Sequence, residues 1–263
     1  PGQVTASALY RDSAAGTAAP LALAQRRSPS SALDPPPPRP PTPERTTTML
    51  DIPTLAAQLR HPHGTAAVAV AESMNRSNGA LNRAAIALLA VQANAHILEI
   101  GPGNAAFAPL LLAAPGSRYL GIELSSEMVR AGNALLRRNG LAGRARLQAG
   151  DAQALAVGNA RFDAALAVNT LYFWPDLPGV LAPLAAALRP GGRLCLAFGD
   201  AAFMRGLPFT AHGFHLYERA QVEHALRASG FPAWIHQTHA ETGTSNDGRR
   251  VDKQFHLLLA RRG

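Results

Sequence analysis

Between residues 96 and 123 the chain reads His96-Ile-Leu-Glu-Ile-Gly101-Pro-Gly103-Asn-Ala-Ala-Phe-Ala-Pro-Leu-Leu-Leu and then, after a short turn, Arg118-Tyr-Leu-Gly-Ile-Glu123. An apolar run that ends in glycines, a helical pattern and a second apolar run that ends in an acid describe a strand–loop–helix–strand unit. The glycines let the backbone turn sharply and come close to a bound molecule, because no side chain stands in the way. Glu123 falls where the second parallel strand ends beside the first. A carboxylate at that point can accept hydrogen bonds from both hydroxyls of a ribose. The unit therefore predicts a parallel α/β sheet that binds a nucleoside-containing cofactor.

Gly101-x-Gly103-x-x-Ala106 also satisfies the dinucleotide fingerprint, so the loop alone leaves the cofactor open. Glu99 stands just before the first glycine, and the next helix begins Ser125-Ser-Glu-Met128-Val directly after the acid. Leu-Glu-Ile-Gly-x-Gly-Asn followed by Gly-Ile-Glu-Leu-Ser-x-x-Met-Val resembles the class I S-adenosylmethionine-dependent methyltransferases, in particular the small-molecule branch that acts on quinones and lipid precursors. The resemblance runs from about residue 55 to the C-terminus. It implies a Rossmann-like seven-stranded, mostly parallel sheet with helices on both faces, a last strand inserted antiparallel, and an N-terminal helical cover. It also implies S-adenosylmethionine as cofactor, with Glu99, Gly101, Gly103, Asn104, Glu123, Leu124 and Met128 around it.

Further along, the same resemblance assigns Asp151, at the end of Arg146-Leu-Gln-Ala-Gly150-Asp151, to the adenine amino group and the backbone of Ala152 to the ring. Asp151 is also placed to cap the helix that follows, and the two roles are compatible. Asn75 and Asn78, in the cover, are placed near the amino-acid end of the cofactor; capping and turning is the alternative for both. The apolar run from Phe162 empties into Asn169-Thr-Leu-Tyr172-Phe173-Trp174. Ligands in open parallel sheets sit beyond the carboxyl ends of the strands, so this cluster lies over the same crevice. Asn169 is expected to bridge cofactor and acceptor, and Tyr172, Phe173 and Trp174 to form an aromatic acceptor wall, suited to a sulfonium and to a flat or hydrophobic acceptor. Plain core packing is the alternative for these three, although bulky aromatics just past a strand end are seldom all buried. Residues 200–216 form a loop able to close over a pocket, and its histidines, His212 and His215, are the candidates for a proton acceptor.

Composition narrows the remaining classes. The 263 residues carry a formal charge of +8, but residues 1–48 hold a net +2 of it and no basic run with interleaved aromatics occurs. A nucleic-acid substrate is not expected. No segment has the length and apolarity of a membrane span, and no charged-then-apolar leader opens the chain, so a cytoplasmic protein is the expectation. Cys195 is the only cysteine. It rules out an intramolecular disulfide and a cysteine-built metal site, and it is read as a small core residue; no metal is expected. Residues 1–48 are rich in Ala, Ser and Pro, with eight prolines between Pro29 and Pro43, and are expected to be disordered. The methyltransferase domain is expected over 49–263, starting where the composition changes at Met49.

Two other readings stay open on the residues alone. A nicotinamide-dependent oxidoreductase would fit the glycine loop and Glu123, although the Tyr-x-x-x-Lys pair of short-chain dehydrogenases is absent: Lys253 is the only lysine, and Gln221 stands four positions after Tyr217. A non-catalytic cofactor-binding module would fit the departures from the pattern, namely Ala105 at the third glycine position, Glu123 rather than Asp as the ribose acid, and the segment Ala154 to Ala160 before the fourth strand. Oligomeric state is not legible.

Overall fold

The computed structural model describes residues 50–244 and 250–263. The disorder expected for residues 1–48 lies outside the described residues. In chain order the elements are α1 (Ile52–Arg60), α2 (Ala67–Ser77), α3 (Gly79–Leu89), β1 (His96–Ile100), α4 (Ala108–Leu111), β2 (Arg118–Glu123), α5 (Ser126–Arg138), β3 (Ala145–Ala149), β4 (Phe162–Val168), α6 (Leu177–Ala187), β5 (Leu188–Gly199), α7 (Ala201–Arg205), α8 (Arg219–Ala228), β6 (Ala233–Thr244) and β7 (Arg250–Arg261). The strands form one seven-stranded sheet in the order β3-β2-β1-β4-β5-β7-β6. The first five are parallel, and β7 lies antiparallel between β5 and β6. The expected Rossmann-like topology, with its antiparallel last strand, is what forms.

Alternation along the strands divides the core between two faces. Leu98, Ile100, Ala165, Phe198 and Leu258 pack on one side against Val180, Leu181 and Leu184 of α6 and Val222 and Leu226 of α8. Ile97, Tyr119, Leu166, Cys195 and Leu257 pack on the other against Leu81, Ala85 and Leu89 of α3 and Leu136 of α5. Side chains in strands point alternately to opposite faces, so central parallel strands covered on both sides are apolar in succession, as β4 is from Ala164 to Val168; Asp163 stands at its start, where it accepts from the His96 amide at 2.7 Å and pairs with Arg189. Cys195 is a core residue, its thiol pushed up to about 12 by burial.

Local chemistry sets the ends of the helices. Asp51 accepts from the Thr54 amide at 2.7 Å to start α1, and Ser125 from the Met128 amide at 3.2 Å to start α5. Gly140, just past α5, takes φ 67°. Asn78 departs from expectation: it sits at the cap position of α3, but its side chain makes no cap bond. Its side-chain oxygen accepts instead from Asn169, just past the end of β4. The Arg189–Gly192 turn lies within β5, where the pairing jumps from Phe162↔Leu188 to Ala164↔Arg193. Gly191 at φ 77° permits that bulge.

Candidate active site

Strand order reverses between β1 and β4, so the carboxyl ends of these two strands border the crevice. The loop after β1 turns through three left-handed residues, Gly101 (φ 66°), Gly103 (58°) and Ala105 (56°). A Cβ on Gly101 would stand 2.4 Å from Cγ2 of Thr170, whereas one on Gly103 would meet nothing within 4 Å. One glycine is thus required by contact with the tip of β4, and the other faces open space that a ligand can fill. Ala105 keeps the third left-handed position at a steric cost of about 1–2 kcal/mol, with its methyl buried in the core.

Glu123 closes this loop onto the next helix. Its Oε2 accepts from the Gly103 amide and its Oε1 from the Ser125 amide, both at 2.9 Å. Only 5% of the residue is exposed. Burial raises its pKa, and the Ser125 and Gly103 amides pull it back down. A carboxylate offers about four acceptor positions, so two remain for hydroxyls of a ligand. Glu99 occupies a different environment. It is buried and accepts from the Tyr119 hydroxyl at 2.7 Å, and desolvation lifts its pKa to about 7 despite that bond.

The N-terminal cover is tied to both borders of the crevice. Asn75 donates to Asn104 of the glycine loop at 3.1 Å, and Asn169 donates to Asn78 at 3.2 Å. The turn His61-Pro62-His63 is held rigid by the buried Gln58, which donates to the His63 carbonyl and accepts from the His63 amide, both at 3.0 Å. Ser125 Oγ donates to the Pro62 carbonyl at 2.5 Å, which fastens this turn beside Glu123. Met128 is buried against Ala67 and Ala71 of α2. A cleft lined by Ala56, Arg60, His61, His63, Leu124 and His212 opens between α1 and the loop after α7. At the end of β3, Ala152 is buried, while Asp151 is exposed and accepts from the Gln153 amide at 2.9 Å, a capping bond.

Beyond β4 the arrangement differs from the expected open wall. Tyr172 and Trp174 are buried core residues, and Phe173 alone of the three is half-buried. Tyr172 turns inward because its hydroxyl has two partners there: it donates to Asn169 Oδ1 at 3.0 Å and accepts from the Gly199 amide at 2.5 Å. Asn169 is held between Tyr172 and Asn78 in a left-handed conformation, φ 54°. The loop after α7 supplies the aromatic cover: Phe214 packs on Phe173 with ring centroids 4.8 Å apart and on Phe209 at 5.5 Å. The His215 amide donates to the Tyr172 carbonyl at 2.8 Å, the Tyr217 hydroxyl donates to the Trp174 carbonyl, and Arg205 pairs with Glu218 across the ends of the loop. His212 and His215 are both exposed; His212 lines the cleft, and His215 stacks on Tyr217. Gln58, Ser125 and Thr170 bear on this site through contacts that sequence reasoning missed, although Ser125 and Thr170 lie inside the quoted motifs. Each acts through a partner more than 4 residues away in the chain.

Residues 98–196 match the family described as "Methyltransferase domain". Among curated proteins, the chain is 34% identical over 102 residues to O-methyltransferase cnsE of Penicillium expansum, covering 39% of this chain and 37% of that one. It is 32% identical over 109 residues to 27-O-demethylrifamycin SV methyltransferase of Amycolatopsis mediterranei, covering 41% and 40%. The chain thus spans less than half the length of these relatives. Among solved structures, geranyl diphosphate C-methyltransferase of Streptomyces coelicolor, in complex with S-adenosyl-L-homocysteine, has the same fold, with TM-score 0.60 at 14% identity over 77% of this chain and 87% of that one. The segment that matches the methyltransferase domain contains the glycine loop, Glu123 and the tip of β4, so the likeness covers the loop, the acid and the strand end that border the crevice.

Proposed function

We propose that this protein transfers the methyl group of S-adenosylmethionine to a hydroxyl of a small, flat or hydrophobic acceptor. The open space over Gly103, bordered by the Glu123 carboxylate, carries the cofactor half of this reading. The Phe173–Phe209–Phe214 cluster over the end of β4 supports the acceptor half, because an aromatic lid fastened at both ends suits a small apolar body better than a polymer. The hydroxyl preference follows the O-methyltransferase names of relatives.

The cofactor supplies an activated methyl on a sulfonium, and the residues of the chain bind, align and exclude water. Gly103 leaves room for it while Gly101 lets the loop pack on Thr170, Glu123 accepts from the ribose, and Leu124, Asp151 and Ala152 flank the base. Asn75, Asn78, Asn104 and Asn169 fix the loops on either side of the reacting centre. Of the two lid histidines, His212 faces a cleft, and we assign it the proton from the acceptor hydroxyl. Residues 1–48 are assigned no part in this activity.

Labelled-methyl transfer across a panel of phenols, quinols, fatty acids, amines, RNA and protein tests the proposal. Turnover confined to RNA or protein would sink it. Calorimetry of S-adenosylhomocysteine against a nicotinamide dinucleotide separates methyl transfer from the oxidoreductase alternative. A chain lacking residues 1–48 should keep both its melting temperature and its cofactor affinity.

A further inference from the structure

On the outer strands, away from the crevice, two histidines converge. His256 of β7 and His236 of the edge strand β6 are diagonal neighbours on one face of the sheet and are hydrogen-bonded to each other, His236 Nε2 lying 3.1 Å from His256 Nδ1. The other nitrogen of His256, Nε2, lies 3.2 Å from Asp200 Oδ2. Asp200 is itself fixed, since its Oδ1 accepts from the Ala202 and Phe203 amides at the start of α7. Phe198 packs on the His256 ring at a centroid distance of 5.4 Å, which limits its rotation.

We propose that His236 and His256 form a binding site for a divalent transition-metal cation of the zinc, nickel or copper kind. Two metal–nitrogen bonds of about 2.0–2.1 Å meeting at roughly 90–109° bring the nitrogens about 2.8–3.4 Å apart, and the observed separation falls within that range. The proton inventory agrees. An Asp200 carboxylate only accepts, so His256 carries its proton on Nε2 and presents a bare Nδ1. Without metal, that Nδ1 accepts from His236 Nε2; His236 is exposed and can move its proton to Nδ1, so that a metal replaces the shared hydrogen with a bond to each ring. Asp200 then fills the place of the carboxylate that orients a ligating imidazole from behind. Imidazole pairs favour borderline metals over magnesium or calcium, which take oxygen ligands. Among the described residues no three such side chains converge, so the other coordination positions belong to water or to a ligand. Because Asp200 caps α7, occupancy would stiffen the root of the aromatic lid. The site is independent of the methyl-transfer reading.

Equilibrium dialysis of the full chain against zinc, with calorimetry at pH 7.5, tests this. One micromolar-range equivalent is expected, with at least a tenfold loss in His236→Ala, a variant at an exposed position that leaves the core untouched. His236→Ala should also abolish any zinc-induced rise in melting temperature. Copper(II) bound to the wild type should show coupling to two nitrogens by electron paramagnetic resonance, and in Asp200→Asn the affinity should fall about tenfold or more. Zinc binding unchanged in His236→Ala, or an absence of micromolar binding in the wild type, overturns the proposal.

Discussion

The two borders of the crevice are built by different means. On the β1–β2 side, the geometry rests on backbone conformation and one carboxylate: left-handed residues at 101, 103 and 105, and Glu123 joining two amides. On the β4–β5 side it rests on packed aromatics whose polar atoms are satisfied inside, Tyr172 by Asn169 and Gly199, with a loop laid over them. A ligand surface made from backbone tolerates few residue types at each position. One made from packing tolerates many, because what matters is which side chain faces inward. Four measurements break or sharpen this contrast.

Trp174→Ala should have the largest effect, and on stability. Removal of a large, buried aromatic side chain costs about 3–5 kcal/mol, so urea unfolding should shift by that order while the residual folded protein binds cofactor normally. A variant of normal stability that fails only in acceptor use would return Trp174 to the acceptor wall and erase the contrast.

Glu123→Ala comes next. It removes two charge-assisted bonds to the glycine loop and α5 as well as the ribose acceptor. Hydrogen bonds to a charged group contribute about 1.5–3 kcal/mol each, so affinity for S-adenosylhomocysteine should drop at least tenfold, with a measurable loss of stability beside it. Normal affinity would mean that this carboxylate only braces the loop.

In Gly101→Ala, the left-handed backbone alone costs about 1–2 kcal/mol, and the contact with Thr170 adds to it. Thr170→Ser in the same chain deletes Cγ2 and should restore part of the lost cofactor affinity, read by calorimetry. If the second change restores nothing, the loop is not held by the tip of β4.

The smallest effect is a slope. Glu99 has its pKa raised from 4.5 to about 7 by burial, so the folded state holds the proton more tightly than the unfolded chain. The stability it contributes is fully present below about pH 4.5 and is lost as the pH rises through about 7. Between pH 5 and 8, Glu99→Gln should therefore lose less stability than the wild type in parallel denaturation series. Identical slopes would show that Glu99 ionises freely and is not sealed against Tyr119.

Much of this was legible in the residues. The strand–glycine–helix–acid unit and the apolar run of β4 depend on interactions within a turn or on side-chain period, and they appear in order along the chain. The roles of Asn78 and Tyr172 did not follow from local rules. A cap position before a helix and an aromatic after a strand predict an Asn78 that binds its own helix and a Tyr172 that faces the ligand. Asn169, 91 residues from Asn78, offers a partner that no window of sequence contains.

By itself, the sequence determined the parallel α/β sheet, the place of the crevice and the glycine–acid signature of the cofactor, since each follows from backbone sterics and side-chain period over a few neighbouring residues. Tertiary structure alone decided that Tyr172 and Trp174 turn inward, that Ser125 holds the Pro62 turn beside Glu123, and that His236 meets His256. Each of these is a pairing between distant segments. It is fixed by which polar atom finds a buried partner once the sheet has closed, and that competition has no local signature.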